Sequence, residues 1–429
     1  KRLRPWLPDN FRWQAMLSAD GRASWRGNQP TLHAVVRTTP GTFVADGLKT
    51  DYQQLALALD FERQQAAIRL DFASKQIGNI DTDLLIKEPA GRGLLGGQLK
   101  FDDLKLNTFA PLIPEVRSLQ GIISADARFD GTLAAPLLFG QLNLRDGEVQ
   151  THSDMVTLTK LVTRLKIEGN RAELDGSMLV GKGPLALGGW LSWAKMPVSG
   201  SLTIQGKDLE AQYPGMGRVR VSPDIAVSLG EETRITGQVD IPWARILVKS
   251  LPDSAVAVSD DVTVVYDDLP PAPKQASLPL AMKVAIRLGN DVKLDAMGLK
   301  TDVSGGLNIR QDPEKPLAGN GRLVLTNGRF KAYGQNLIIK EGRILFSGPL
   351  DRPFLNIEAN RDPDTIEGQV TVGVRVTGPA SKPEITVYSE PQMAQSEQLS
   401  YLLRGKGLQT GGEDGGFNGL LVAGAVSQA

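Results

Sequence analysis

The chain has 429 residues, with 48 basic and 48 acidic side chains, so its net charge makes no case for nucleic acid or for an anionic membrane surface. Cysteine is absent, which excludes disulfides, zinc–thiolate sites and thiol nucleophiles. Hydrophobic content of 41% and charged content of 22% lie in the globular range, and 46 glycines, above the usual share of roughly 7%, suit a chain with many turns. No apolar run approaches the roughly 20 residues that span a bilayer as a helix.

The first 35 residues place Trp6, Trp13 and Trp25 among prolines and arginines, a pattern read as aromatic core beneath the entrance of a sheet. From Leu55 to Phe61 the odd positions are large and apolar, and Ile68, Leu70 and Phe72 repeat the pattern, as do Leu99 and Phe101. Successive side chains of a strand point to opposite faces, so each segment predicts a strand with one apolar and one wet face. TFAPLIP (108–114) reads as a short helix or loop. SDMVTLTKLVTRLKIE (153–168) has helical spacing at Met155, Leu158 and Leu161, but its β-branched content favours strand.

Leu202, Ile204, Val219, Val221, Ile225, Val227 and Leu229 alternate again. Residues 252–280 are rich in proline and predict an exposed loop region, the best internal boundary. Val284, Ile286 and Leu288 restart the sheet. From Gly319 to Gly405 the pattern is clearest. Leu355, Ile357 and Ala359 alternate with polar residues, as do Val370, Val372, Val374 and Val376. Asn327-Gly328, Glu341-Gly342, Gly348-Pro349, Asp362-Pro363 and Gly378-Pro379 supply turn chemistry. From Ser396 the period becomes helical, with Leu399, Leu402 and Leu403 on one face, Ser396 as expected N-cap and Gly405 as the stop. A glycine-rich linker, 411–419, follows.

Short catalytic signatures are missing: there is no G-x-S-x-G elbow, P-loop or H-E-x-x-H. His33 and His152 stand far apart, and the pairs Asp102-Asp103, Asp260-Asp261 and Asp267-Asp268 lack the alternate carboxylates of a calcium loop. No enzyme activity, cofactor or metal is expected. Many amphipathic strands without covering helices must bury their apolar faces against each other or against a ligand. A closed sandwich or barrel, a compact β-helix and an open trough all satisfy that pattern, and periodicity does not choose among them.

The segments GNGRLVLTNGRF (319–330), AYGQNLIIKEGRILFSGPLDRPFLNIEANR (332–361), GQVTVGVRVTGPASKPEITVYSEP (368–391) and EQLSYLLRG (397–405) resemble the carboxy-terminal domain of the TamB family, within the AsmA-like superfamily. The likeness extends upstream through 223–261 and 298–321, and more loosely through glycine-punctuated units such as DGTLAAPLLFGQLNLRDGEV (130–149).

The resemblance implies an all-β, elongated, taco-like curled sheet with an apolar interior groove and a short helix near the carboxy terminus. It divides the chain into an extended β-groove segment (1–251), the proline-rich loop region (252–280), the last part of the groove (281–395) and a helix with a glycine-rich tail (396–429). It implies a periplasmic bridge carrying phospholipids between the inner and outer membranes, held by an inner-membrane anchor outside this chain. TamA, an outer-membrane barrel protein, is the implied partner. Val284, Ile286, Leu288, Leu323, Leu325, Leu355, Ile357, Val370, Val372, Val374 and Val376 would then line the groove and solvate acyl chains. Exposing about 30 methylenes to water at ~0.8 kcal/mol each costs on the order of 24 kcal/mol, which a continuous apolar lining would largely remove. The alternative function is a scaffold for outer-membrane barrel assembly by strand addition at sheet edges. A secreted β-helical adhesin, with a filled core and no bound lipid, is a third reading.

Overall fold

A computed structural model describes residues 12–27, 29–45, 48–113, 116–152, 155–248, 280–296, 298–313, 315–332 and 335–408. Trp6, nearly all of the 252–280 region and the 411–419 linker lie outside the described residues. The amino-terminal strands are β1 (Arg12–Gln14), β2 (Leu17–Arg26), β3 (Gln29–Thr38), β4 (Gly41–Ala45), β5 (Leu48–Tyr52) and β6 (Gln54–Glu62). Next come β7 (Gln65–Ser74), β8 (Gly78–Lys87), β9 (Leu94–Lys105), β10 (Val116–Gly131), β11 (Pro136–Thr151) and β12 (Thr157–Gly169). The middle of the chain gives β13 (Arg171–Val180), β14 (Gly183–Ser192), β15 (Ser199–Gly206), β16 (Leu209–Tyr213), β17 (Gly217–Leu229) and β18 (Thr233–Val248). The last strands are β19 (Leu280–Ala296), β20 (Leu299–Gln311), β21 (Ala318–Ala332), β22 (Gln335–Pro349), β23 (Phe354–Arg361), β24 (Thr371–Pro379) and β25 (Glu384–Glu390). One α-helix, α1 (Gln395–Arg404), closes the described chain.

The chain is all-β with a short helix at its end, as the alternation implied. Hydrogen bonds join 22 strands in one antiparallel sheet, and β1, β4 and β5 form a separate three-stranded sheet. Pairing follows chain order with few exceptions. Strand β3 pairs with β6 across the excursion of β4 and β5, and β15 pairs with β17. The ambiguous 153–168 stretch is strand β12 from Thr157 onward, its β-branched residues outweighing the helical spacing. Leu106–Leu112 is a 3-10 helix, in the region read as short helix or loop.

By its contacts the chain divides into two units, 1–214 with 221–237, and 215–220 with 238–429. In the first unit, Met178, Val180 and Leu209 form a small core with Leu158, Leu185 and Leu187 packed against it. Elsewhere in that unit Tyr52 is buried between Phe43 and Phe72 and accepts a 2.7 Å hydrogen bond from the Trp13 indole. Trp25 corrects the sequence reading. It is 72% exposed on β2, a strand whose described side chains are all exposed, because among the described residues no layer packs on either face of β2.

In the second unit the core is one contiguous apolar cluster: Val292, Val303, Leu325, Leu337, Ile339, Ala359, Val372 and Leu402, joined by Ala244. Register explains it. Leu299, Phe330, Leu337 and Arg361 are successive cross-strand partners, so they share one face of β20–β23. A bulge in β21, where Asn327 adopts φ +53°, lets the inward set shift from Leu323 and Leu325 to Gly328 and Phe330. At Gly328 a methyl group would lie 2.7 Å from Ile339, so only glycine lets the neighbouring strand's side chain pass.

Helix α1 differs from expectation at its start. Its N-cap is Ala394, without a side-chain cap, whereas Ser396 lies inside the first turn. The helix therefore begins two residues earlier than the capping pattern predicted, because its position is set by packing on β24 and β25. Gly405 ends it in the left-handed conformation, as expected.

Candidate functional site

The site is the apolar face of β19–β25. Among the residues expected to line it, Leu325 (3% exposed) and Val372 (0%) belong to the sealed cluster, and Leu288, Leu323, Ile357 and Val374 pack against it. Val284, Ile286, Leu355, Val370 and Val376 are half-buried and lie outside that cluster. The face is thus graded. At one end Val372 is enclosed, and further along β24 Val376 stands between Ile357 and Ile385, where Ile385 is 65% exposed.

The closed end depends on a contact that the alternation did not announce. Arg361 is 6% exposed and shares the parity of Leu355, Ile357 and Ala359, so it points into the apolar face. Its guanidinium donates to the Leu402 carbonyl (2.7 Å) and the Thr365 hydroxyl (3.0 Å). A cation at the carboxy-terminal turn of α1 meets unpaired carbonyls and the negative end of the helix dipole. Burial draws the guanidinium pKa down from its ordinary value. Glu367 N–H donates to the Gly405 carbonyl at 2.7 Å, which fastens the helix end a second time. Strict alternation from Leu355 onward was the signal that could have located Arg361.

The opposite face of β22–β25 is polar. Glu358 accepts hydrogen bonds from Tyr388 (2.7 Å) and Arg375 (3.0 Å) and pairs with Lys340 (3.4 Å). The Tyr388 hydrogen bond, with those from Arg375 and Lys340, outweighs partial burial and holds the Glu358 carboxyl below its ordinary value. Burial, followed by the bond to Glu358, pushes the Tyr388 hydroxyl up. A carboxylate whose pKa is depressed by folding contributes stability above the unfolded value of 4.5, and that contribution disappears as pH falls through the native value. The melting temperature should therefore drop on acidification from about pH 7 to about pH 3, and less steeply in Glu358→Gln. Parallel pH profiles of thermal unfolding would show that Glu358 does not couple to folding.

Among the described residues no group of three or more His, Asp or Glu side chains could hold a metal ion, and no helix is long and apolar enough to cross a membrane. What the site offers is a graded apolar surface.

Comparison with known proteins agrees with this reading of the fold. Residues 174–429 match the family described as TamB C-terminal domain, and residues 1–144 match the TamB N-terminal domain. The chain belongs to the TamB family. A curated member, the translocation and assembly module subunit TamB of Haemophilus influenzae, is 33% identical over 419 residues, covering 93% of this chain and 32% of that protein. The chain thus spans about a third of the length of this TamB relative. The TamB C-terminal match includes every residue named above for the graded face, together with Arg361 and α1.

Proposed function

We propose that this chain is a segment of a periplasmic bridge that carries phospholipids between the inner and outer membranes. The inner-membrane anchor would lie outside this chain, and the outer-membrane barrel protein TamA would be its partner. The observation that carries the reading is the graded apolar face. In a purely structural core the inward residues of β24 and β25 would all be enclosed, yet exposure rises from 0% at Val372 to 65% at Ile385. Acyl chains are the ligand class that such a surface solvates without a catalytic group. Val284, Ile286, Leu355, Val370 and Val376 would then form the wet-edged part of the groove, while Leu325 and Val372 form its packed floor beside α1. No enzyme step is needed.

A photo-crosslinking residue at position 376 or 286 should capture phospholipid from membranes of the producing cell, whereas one at Arg375, on the opposite face, should not. Val376→Asp should leave the fold intact, because the site is open to water, and lower lipid capture at position 286. A folded protein with equal capture at 375 and 376 would remove the conduit reading.

The second reading, assembly of barrel proteins by strand addition, rests on β25. Among the described residues that strand pairs with β24 alone, which leaves one edge of its backbone unpaired. Proline substitution along β25 that abolished capture of a partner strand, with lipid content unchanged, would favour it.

A further inference from the structure

A second feature of the carboxy-terminal unit draws its charged residues from the face opposite the apolar cluster. Alternation that sends Leu299, Phe330 and Leu337 inward sends Lys300 and Arg329, which are direct cross-strand partners, to the other side. Lys293 stands opposite Asp302 on β19–β20, and Lys331 opposite Asn336 on β21–β22. These residues border a cavity of about 990 Å³ whose lining also includes Arg218, Arg245, Ile246, Leu247, Leu294 and Asp295. That volume is at the upper end of small-ligand sites.

The lining holds six cations (Arg218, Arg245, Lys293, Lys300, Arg329 and Lys331) against two carboxylates, in a chain whose charges cancel overall. Both carboxylates are engaged: Asp295 pairs with Lys300 at 3.1 Å, and Asp302 accepts from the Asn327 amide at 2.9 Å. Arg245 pairs with Asp291 and, with Arg218, lies against the Trp243 ring. Among the described residues, Arg218, Lys293, Arg329 and Lys331 have no carboxylate partner and are exposed. A solvated charged stripe would alternate in sign. This lining concentrates one sign around a concavity, where the fields of the cations add.

We propose that this cavity binds the phosphate group of an anionic phospholipid. The apolar part of the lining selects the lipid over a free phosphate ion. Ile246 is 40% exposed within the cavity, beside Leu247 and Leu294, where it offers contact to the glycerol and first methylenes of a lipid. The inference does not depend on the conduit reading, because none of the residues expected to line the groove borders the cavity.

Flotation of the full chain with vesicles tests it. Vesicles of phosphatidylcholine containing about a third phosphatidylglycerol should bind the chain, and pure phosphatidylcholine vesicles should bind far less. Each cation near an anionic surface changes affinity about fivefold, so Lys293→Gln, Arg329→Gln and Lys331→Gln together should weaken binding roughly 100-fold. Lys182→Gln, Lys195→Gln and Lys207→Gln remove three exposed cations from the other unit and should change it little. Circular dichroism and thermal unfolding should be unaltered in both triple variants, since none of the six has an ion pair to lose. Inorganic phosphate at millimolar concentration should not displace the vesicles beyond its ionic-strength effect. Equal loss in the two triple variants would reduce the effect to bulk charge and overturn the proposal. So would displacement by phosphate alone, which would reassign the cavity to a free anion, or equal binding to both vesicles. Lipid capture at position 376 is read in the chain with its cations intact: absence of capture there with flotation retained would strike the conduit reading and leave this one standing.

Discussion

Val372→Asp should unfold the carboxy-terminal unit or lower its stability by about 4 kcal/mol or more. Val372 is wholly enclosed, in one cluster with Ala359 and Leu402. A carboxylate there must be desolvated without a partner or take up a proton, and the packed cluster leaves no room for water to follow it. Thr386→Asp provides the comparison. Thr386 is exposed on the neighbouring strand, directly opposite Arg375, so its new charge stays solvated beside a cation and should change stability by less than about 0.5 kcal/mol. Urea unfolding of the three proteins measures both. Similar midpoints for Val372→Asp and the parent chain would mean that the closed end of the apolar face is open to water in solution.

Arg361→Ala should cost on the order of 3 kcal/mol and free helix α1 from the sheet. The substitution removes two hydrogen bonds from a buried cation and leaves the Leu402 carbonyl without its donor. It also opens space where the guanidinium stem packed. Backbone hydrogen exchange within 395–405 should accelerate much more than in β19–β22, because the lost contacts fasten the helix and not the ladder. Arg361→Lys restores a charge but not the two-pronged geometry, and should recover only part of the loss. Uniform acceleration of exchange across the unit would instead make Arg361 part of a single cooperative core.

These two residues show how far local sequence reaches. Val372 was legible as an inward residue, because Val370, Val372, Val374 and Val376 alternate with Thr371, Gly373 and Arg375. Strand geometry alone puts them on one face. Arg361 obeys the same rule, but a charged residue at a strand end reads as solvated unless something covers it. What covers it is α1, and that helix was visible from its own periodicity and from Gly405 without any sign of where it docks. Ser396 misled for a related reason: the helix start follows its packing against β24 and β25, not the nearest capping residue. Trp25 misled in the opposite sense, since an aromatic residue among prolines is core only where another layer reaches it.

Phe330 shows the limit within a single strand. Counting by twos from Leu323 and Leu325 puts position 330 outward, but the left-handed residue at Asn327 shifts the inward set by one. The Asn-Gly pair was legible as turn chemistry; that it makes a bulge inside a strand depends on what β20 and β22 leave unpaired. The sequence by itself determined the all-β class, the single apolar face of each strand and the terminal helix, because these follow from backbone geometry over a few residues. Only the tertiary structure decided which part of the apolar face α1 seals, which part stays open at Val376 and Ile385, and that six cations from separate strands border one cavity. Those outcomes arise from register between strands and from contacts between distant segments, and no local pattern encodes either.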